Sequence, residues 1–321
     1  FEEVVLHMIL SILLLIIGFV FVSIGSDKLV EGASTLAKKL KVSDLLIGLT
    51  IVAFGTSAPE LAVNIVSSIK GTSNISLGNV IGSNIFNILV VVGLSAVIRP
   101  VIVQHSTLRK EIPLSLIAAL SILALGNKTP SVITRGDGIV LLLFFAIFMS
   151  YILEMAQKDR EMFEELEKTK EKQLGTIISI LYIIGGLAGL VFGGRWIVNG
   201  AVDIAKAFGV SDKLIGLTIV AAGTSIPELA TSLAAIIKGN NEIALGNAVG
   251  SNIFNVFFIL GISAVIKPIV YTTVLNFDVT LLVIITVILL LFSKNLKIEK
   301  FEGLLMVSTY VGYTIYLIYR G

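Results

Sequence analysis

The 321 residues are 55% hydrophobic and only 14% charged, with a formal net charge of +2 and a mean hydropathy of +0.98. A soluble domain carries about 25% charged residues, so most of the outer surface must face lipid, and so small a net charge gives no reason to expect nucleic acid as a partner. With no cysteine and two histidines, His7 and His105, far apart in sequence and read as loop or interfacial residues, neither a disulfide nor a sulfur or imidazole metal centre is available, and no cofactor is expected. The opening FEEVV lacks the basic stretch of a secretory leader, so none is expected.

Apolar runs of about 17–25 residues are candidate spanning helices. Ten are predicted, at 8–25, 45–69, 76–98, 112–126 and 137–155, then 176–194, 212–237, 244–266, 275–293 and 302–319. The second carries Glu60 in GTSAPEL. An ionisable side chain there is costly in lipid and therefore informative. Pro59 cannot bond the carbonyl of Gly55, so a break is expected, and broken helices are tolerated in membranes where they line a polar cavity. Thr56 and Ser57 add hydroxyls at the same level. The third segment contains GNVIGSNIFN, in which Ser83 and Asn87, four apart, share one face. After the fifth comes QKDREMFEELEKTKEKQ, residues 157–173, of mixed charge, read as a solvated helical linker.

The second half repeats the first. VSDLLIGLTIVAFGTSAPELA (42–62) returns as VSDKLIGLTIVAAGTSIPELA (210–230), and ISLGNVIGSNIFN (75–87) as IALGNAVGSNIFN (243–255), each 168 residues on. GSDKLVEGASTLAKKLKVS (25–43) and GGRWIVNGAVDIAKAFGVS (193–211) keep the same offset. Glu228, Thr224, Ser225, Ser251 and Asn255 are thus the counterparts of Glu60, Thr56, Ser57, Ser83 and Asn87. The expected division is 1–156, a linker at 157–174, and 175–321. Five segments per copy is odd, so the second copy enters the membrane from the other side, giving an all-α membrane protein of ten transmembrane helices in two inverted repeats. Sixteen of the 24 Lys and Arg residues fall after segments one, three, five, seven and nine, among them Lys38, Arg109, Lys158, Lys238 and Lys297. The positive-inside rule makes that face cytoplasmic and puts both termini outside.

The donors collected this way are two carboxylates, hydroxyls, amides and loosened carbonyls. All are hard oxygens, which select calcium or sodium over softer metals. Two carboxylates neutralise one calcium or two sodium ions, so the two ions compete. Protons are expected to compete for the same pair.

These motifs resemble those of the sodium/calcium exchanger branch of the cation/calcium antiporters, whose two alpha repeats correspond to the duplicated GTSxPE and GNxxGSNxxN segments. The resemblance spans essentially the whole chain. It implies that Glu60 and Glu228 bind both ions, with Thr56, Ser57, Thr224, Ser225, Ser83, Asn87 and Ser251 and the carbonyls of Ala53 and Ala221 around them. It also implies exchange that moves net charge, by sliding of segments one and six over a core of segments two, three, seven and eight. The chain is expected to act as a monomer in the lipid bilayer. Gly82 and Gly250 stand where proton/calcium exchangers carry glutamate, which argues against proton coupling; proton/calcium exchange is the alternative reading. Asn255 stands where potassium-dependent exchangers carry Asp, so potassium is not expected to be needed.

Overall fold

The computed structural model describes residues 2–70, 73–166, 175–209 and 221–320. Helix α1 (Glu2–Leu40) is followed by α2 (Asp44–Thr56) and α3 (Ala58–Lys70), two halves of one span bent by 47°. Next is α4 (Ser73–Phe86, continuing through a π-helical turn at Asn87–Val92 into Gly93–Ile98), then α5 (Ile112–Gly126) and α6 (Arg135–Leu166). The second half holds α7 (Thr176–Ala207), α8 (Ala221–Gly223), α9 (Ile226–Ile237) and α10 (Asn241–Ile253, through a π-helical turn at Phe254–Leu260 into Gly261–Ile266). It closes with α11 (Asn276–Phe292) and α12 (Lys300–Arg320).

Helix is therefore found at all ten predicted segments, although the first part of the seventh lies outside the described residues. Among the described residues seven helices are long and apolar enough to span alone, and the bent pair α2–α3 makes an eighth. The shorter ones are α5, of 15 residues, and α9, of 12. Two helices outrun the expected limits, and a third carries on into the linker in keeping with its helical reading. α1 continues to Leu40 and α7 to Ala207, because the polar stretches following their apolar runs contain good helix formers and no proline. α6 runs on to Leu166, carrying helix into the charged linker; 167–174 lies outside the described residues. His105 is exposed.

Four two-residue strands tie the repeats together. β1 (Val101–Ile102) pairs antiparallel with β4 (Lys297–Ile298), and β2 (Val132–Ile133) with β3 (Ile269–Val270). β1 and β3 are counterparts at the 168-residue offset, so each pair joins one repeat to the other. Pairing β1 with β4 requires the ends of segments three and nine to share a face, as an even number of crossings between them provides.

The broken helices, α4 and α10 form the centre. α6 lies on α10 and α12 on α4, while α5 and α11 pack together. α1 and α7 run antiparallel beside this core along most of their lengths. Their contact is a ladder of small residues spaced by seven on each helix. A Cβ on Gly18 would sit 2.7 Å from the Gly193 carbonyl oxygen, on Gly25 2.8 Å from that of Gly186, on Gly32 2.7 Å from that of Ser179, and on Gly200 2.6 Å from that of Ser11. Small residues let helix backbones touch, the main source of association between helices in lipid.

Candidate cation site

Each broken span starts from the same local chemistry. Pro59 and Pro227 lack an N–H, and the preceding serines leave the helical region: Ser57 has φ −81° and ψ 9°, Ser225 φ −91° and ψ 8°. The second half of each span then restarts with proline in its opening turn, where its missing donor costs nothing. Glu60 and Glu228 fall in that opening turn, facing the positive end of α3 and α9. Gly55 and Gly223, one turn before the break, lie against α7: a Cβ would strike Leu187 at 2.6 Å and Val198 at 2.3 Å.

The two breaks interlock through hydrogen bonds that exchange partners between repeats. Ser57 Oγ donates to Glu228 Oε1 at 2.9 Å, and Ser225 Oγ to Glu60 Oε1 at 3.2 Å. Thr56 Oγ1 donates to Asn247 Oδ1 at 3.0 Å, and Thr224 Oγ1 to Asn79 Oδ1 at 3.4 Å. Asn84 and Asn252 each donate to the other's backbone carbonyl, at 3.2 and 3.3 Å. Asn87 Nδ2 donates to Asn252 Oδ1 at 3.1 Å, and Asn255 Nδ2 to Asn84 Oδ1 at 3.0 Å. Every pair obeys the 168-residue offset, so a pseudo-two-fold axis passes through the site. The serines of the second motif differ in their bonds: Ser83 Oγ donates to Glu60 Oε1 at 3.3 Å, Ser251 Oγ to the Ala53 carbonyl at 3.4 Å.

The structure thus gathers Glu60, Glu228, Thr56, Ser57, Thr224, Ser225, Ser83, Asn87, Ser251, Asn255 and the Ala53 carbonyl at the crossing of α2–α3, α4, α8–α9 and α10. Ala221 opens α8, three residues before Thr224; its side chain lies outside the description. Asn79, Asn84, Asn247 and Asn252 hold the ligand-type residues in place. Asn247 Nδ2 also donates to the Glu228 carbonyl at 3.2 Å and to Ser232 Oγ at 3.0 Å.

Both carboxylates are buried, Glu60 0% and Glu228 1% exposed. Among the described residues neither meets a lysine or arginine. Where the motifs cross, four buried acceptor oxygens have no donor among the described residues: Glu60 Oε2, Glu228 Oε2, Asn87 Oδ1 and Asn255 Oδ1. They form two repeat-related pairs. Unsatisfied buried acceptors and uncompensated carboxylates are expensive, and a cation satisfies both at once. A cavity of about 180 Å³ reaches this region, lined by Pro59 and Ala62 of α3, Arg195 and Asn199 of α7, and Thr224 and Pro227 at the second break.

Inverted helical repeats crossing at a buried, oxygen-lined anionic site define an integral membrane transporter of cations rather than an enzyme. Comparison with known proteins makes this specific: residues 10–153 and 178–319 match the family described as sodium/calcium exchanger protein, and the chain belongs to it. It is similar over 315 residues to CaxA of Alkalimonas amylolytica, at 37% identity covering 95% of this chain and 98% of that one. It is 33% identical over 346 residues to the sodium/calcium exchanger MaX1 of Methanosarcina acetivorans, covering 96% and 99%. Among solved structures it resembles the sodium-calcium exchanger NCX_Mj soaked with zero Na+ and Ca2+, with a TM-score of 0.83 and 33% identity over 97% of this chain and 99% of that one. The chain is therefore a multi-pass membrane cation/calcium exchanger of the NCX_Mj type, of the short kind without a large regulatory insertion.

Proposed function

We propose that the chain exchanges sodium for calcium by alternating access, moves net charge in doing so, and neither needs nor carries potassium. The observation that carries the proposal is the quartet of buried, donorless oxygens on Glu60, Glu228, Asn87 and Asn255. Two carboxylate and two amide oxygens, with the hydroxyls of Thr56, Ser57, Thr224, Ser225, Ser83 and Ser251 and the carbonyls of Ala53 and Ala221, provide the flexible all-oxygen shell calcium accepts. A serine hydroxyl that donates to a carboxylate keeps lone pairs for a cation, so the present hydrogen bonds and ion coordination are compatible. With only two negative charges, calcium and the sodium ions that replace it cannot be held together, and that exclusion couples the two fluxes.

In this reading α1 and α7 slide as one body over the core, their glycine ladder keeping them in register. The halves 1–156 and 175–321 contribute equally, the segment 157–174 and the neighbouring Lys-rich loops face the cytoplasm, both termini face outward from the cell membrane, and one chain suffices. MaX1 and NCX_Mj bear the name of this activity, which supports the reading.

The test is radiolabelled calcium uptake into proteoliposomes loaded with sodium, potassium or protons. Uptake is expected with the sodium gradient alone and is expected to vanish in Glu60→Gln and Glu228→Gln. Uptake that ignores sodium and follows the pH gradient would replace the proposal with proton/calcium exchange. Sliding is tested with Ser34→Cys and Asp44→Cys together, in a chain that has no other cysteine; the native side chains lie 3.2 Å apart across α1 and α2. A disulfide there is expected to arrest transport, and reduction to restore it.

A further inference from the structure

The two repeats are near copies at the cation site but not where the sliding pair meets the core. On the face that carries the linker, α1 is fastened to α9. Lys238 Nζ lies 3.0 Å from Asp27 Oδ1 and also donates to the Asp27 carbonyl at 2.7 Å. Ser34 Oγ donates to Asp44 Oδ2 at 3.2 Å, fastening α1 to α2 as well. On the other face α7 stands off α3, and the cavity beside Arg195, Pro59 and Ala62 opens between them.

An inverted-repeat transporter reaches its second conformation when each repeat takes up the arrangement of the other. At the 168-residue offset Asp27 becomes Arg195, Lys238 becomes Lys70, Ser34 becomes Val202 and Asp44 becomes Asp212. The mirror image of the latch would therefore set Arg195 beside Lys70, two cations, and put Val202, which has no hydroxyl, in the place of Ser34. One conformation gains an ion pair and a hydrogen bond; the other gains a like-charge contact and neither bond. Arg195 here lines the cavity, without an ion pair among the described residues, and Lys70 is exposed.

We propose that this charge asymmetry holds the exchanger preferentially closed on the linker face and open on the opposite one, with Asp27–Lys238 as the latch and Arg195–Lys70 as its repelling counterpart. The inference rests on the alternating-access reading above. A single exposed charge pair biases an equilibrium by up to about fivefold, so the latch tunes the populations and does not lock them.

The experiment places one cysteine at Ala230, the repeat counterpart of Ala62, half-buried on the helix that α1 covers. Its rate of labelling by a neutral hydrophilic maleimide follows the population open on the linker face. Asp27→Asn, or Lys238→Gln should that variant fold poorly, is expected to raise the rate two- to fivefold. Lys70→Glu, which turns the counterpart into an attracting pair with Arg195, is expected to raise it too, although Lys70 lies at the far end of α3. Adding Arg195→Glu to Lys70→Glu restores repulsion and returns the rate to its starting value. Sodium-driven calcium uptake on the same samples reports on exchange itself. Intact uptake with unchanged labelling in Asp27→Asn and Lys70→Glu would overturn the latch alone, whereas absent uptake in the parent would overturn the exchanger reading.

Discussion

Replacing Glu60 with Gln keeps the shape of the site and removes one of its two charges. The amide oxygen can still accept from Ser83 and Ser225, which lie 3.3 and 3.2 Å from Oε1, so the empty protein is expected to keep its fold. What changes is the contact to a bound cation. A hydrogen-bond-scale contact involving a charged group contributes roughly 1.5–3 kcal/mol, so calcium affinity is expected to fall about 10- to 150-fold. Calcium at a hundred times its dissociation constant stabilises the native state by about 2.7 kcal/mol. At that same concentration the variant is stabilised by only about 0.3–1.4 kcal/mol. Thermal unfolding in detergent, with and without calcium, reads this difference directly without requiring transport. Glu228→Gln should behave alike, since Ser57 holds it as Ser225 holds Glu60. If Glu60→Gln retained the full calcium-dependent stabilisation, the carboxylate would not be a ligand and the proposed site would be wrong.

Asn247→Leu removes its hydrogen bonds to the Glu228 carbonyl, Ser232 and Thr56 at once, while Thr56 and Ser232 keep theirs to the Ala53 and Ala244 carbonyls; at roughly 0.5–1.5 kcal/mol for each bond lost, it should lower the unfolding midpoint even without ions. Gly25→Val drives a side chain into the Gly186 carbonyl, 2.8 Å from where the Cβ would lie, and is expected to cost about 1–3 kcal/mol and to stop uptake by prising α1 from α7. Asp278→Asn weakens the bidentate pair with Arg320 at 3.1 and 2.9 Å, and with it the joint between α11 and α12; stability should fall while sodium-driven uptake per folded molecule persists. Calcium uptake should decline on acidification, because protons contend for the same two carboxylates, and a flat profile from acidic to alkaline pH would speak against that competition.

Much of this arrangement could be read from the chain alone. The 168-residue offset gives the pseudo-symmetry, the GTSxPE proline gives the break, and an acidic residue within an apolar span calls for an explanation. What escaped has physical reasons. The ends of α1 and α7 lie beyond the apolar runs because hydropathy sees only the part of a helix that meets lipid, whereas backbone hydrogen bonding continues into water wherever the residues favour helix. The π-helical turns beginning at Asn87 and Phe254 leave no mark in composition, though such turns gather at functional sites. The roles of Asn84 and Asn252 depend on a contact between residues 168 apart, where sequence supplies only a buried amide. The ladder of Ser11, Gly18, Gly25 and Gly32 against Gly200, Gly193, Gly186 and Ser179 is plainly periodic, yet its meaning requires knowing that α1 and α7 run antiparallel. Asp27 and Arg195 look like ordinary divergence until the contact at Asp27 is seen.

The small strands have a consequence for how the molecule comes into being. Val101 pairs with Ile298 and Ile133 with Ile269, so the clasp on each face takes one half from early in the chain and the other from late. When the first five segments have been inserted, β1 and β2 have no partners, the serine hydroxyl of Ser225 has not reached Glu60, and α1 has no α7 to lie against. The first repeat is then a set of inserted helices awaiting assembly, with its carboxylate already in the membrane. β2 is satisfied once residue 270 is in place, but β1 must wait until residue 298 emerges. Assembly is thus a joint event of both repeats near the end of synthesis, and a chain cut within its charged linker should close neither clasp until its two pieces meet.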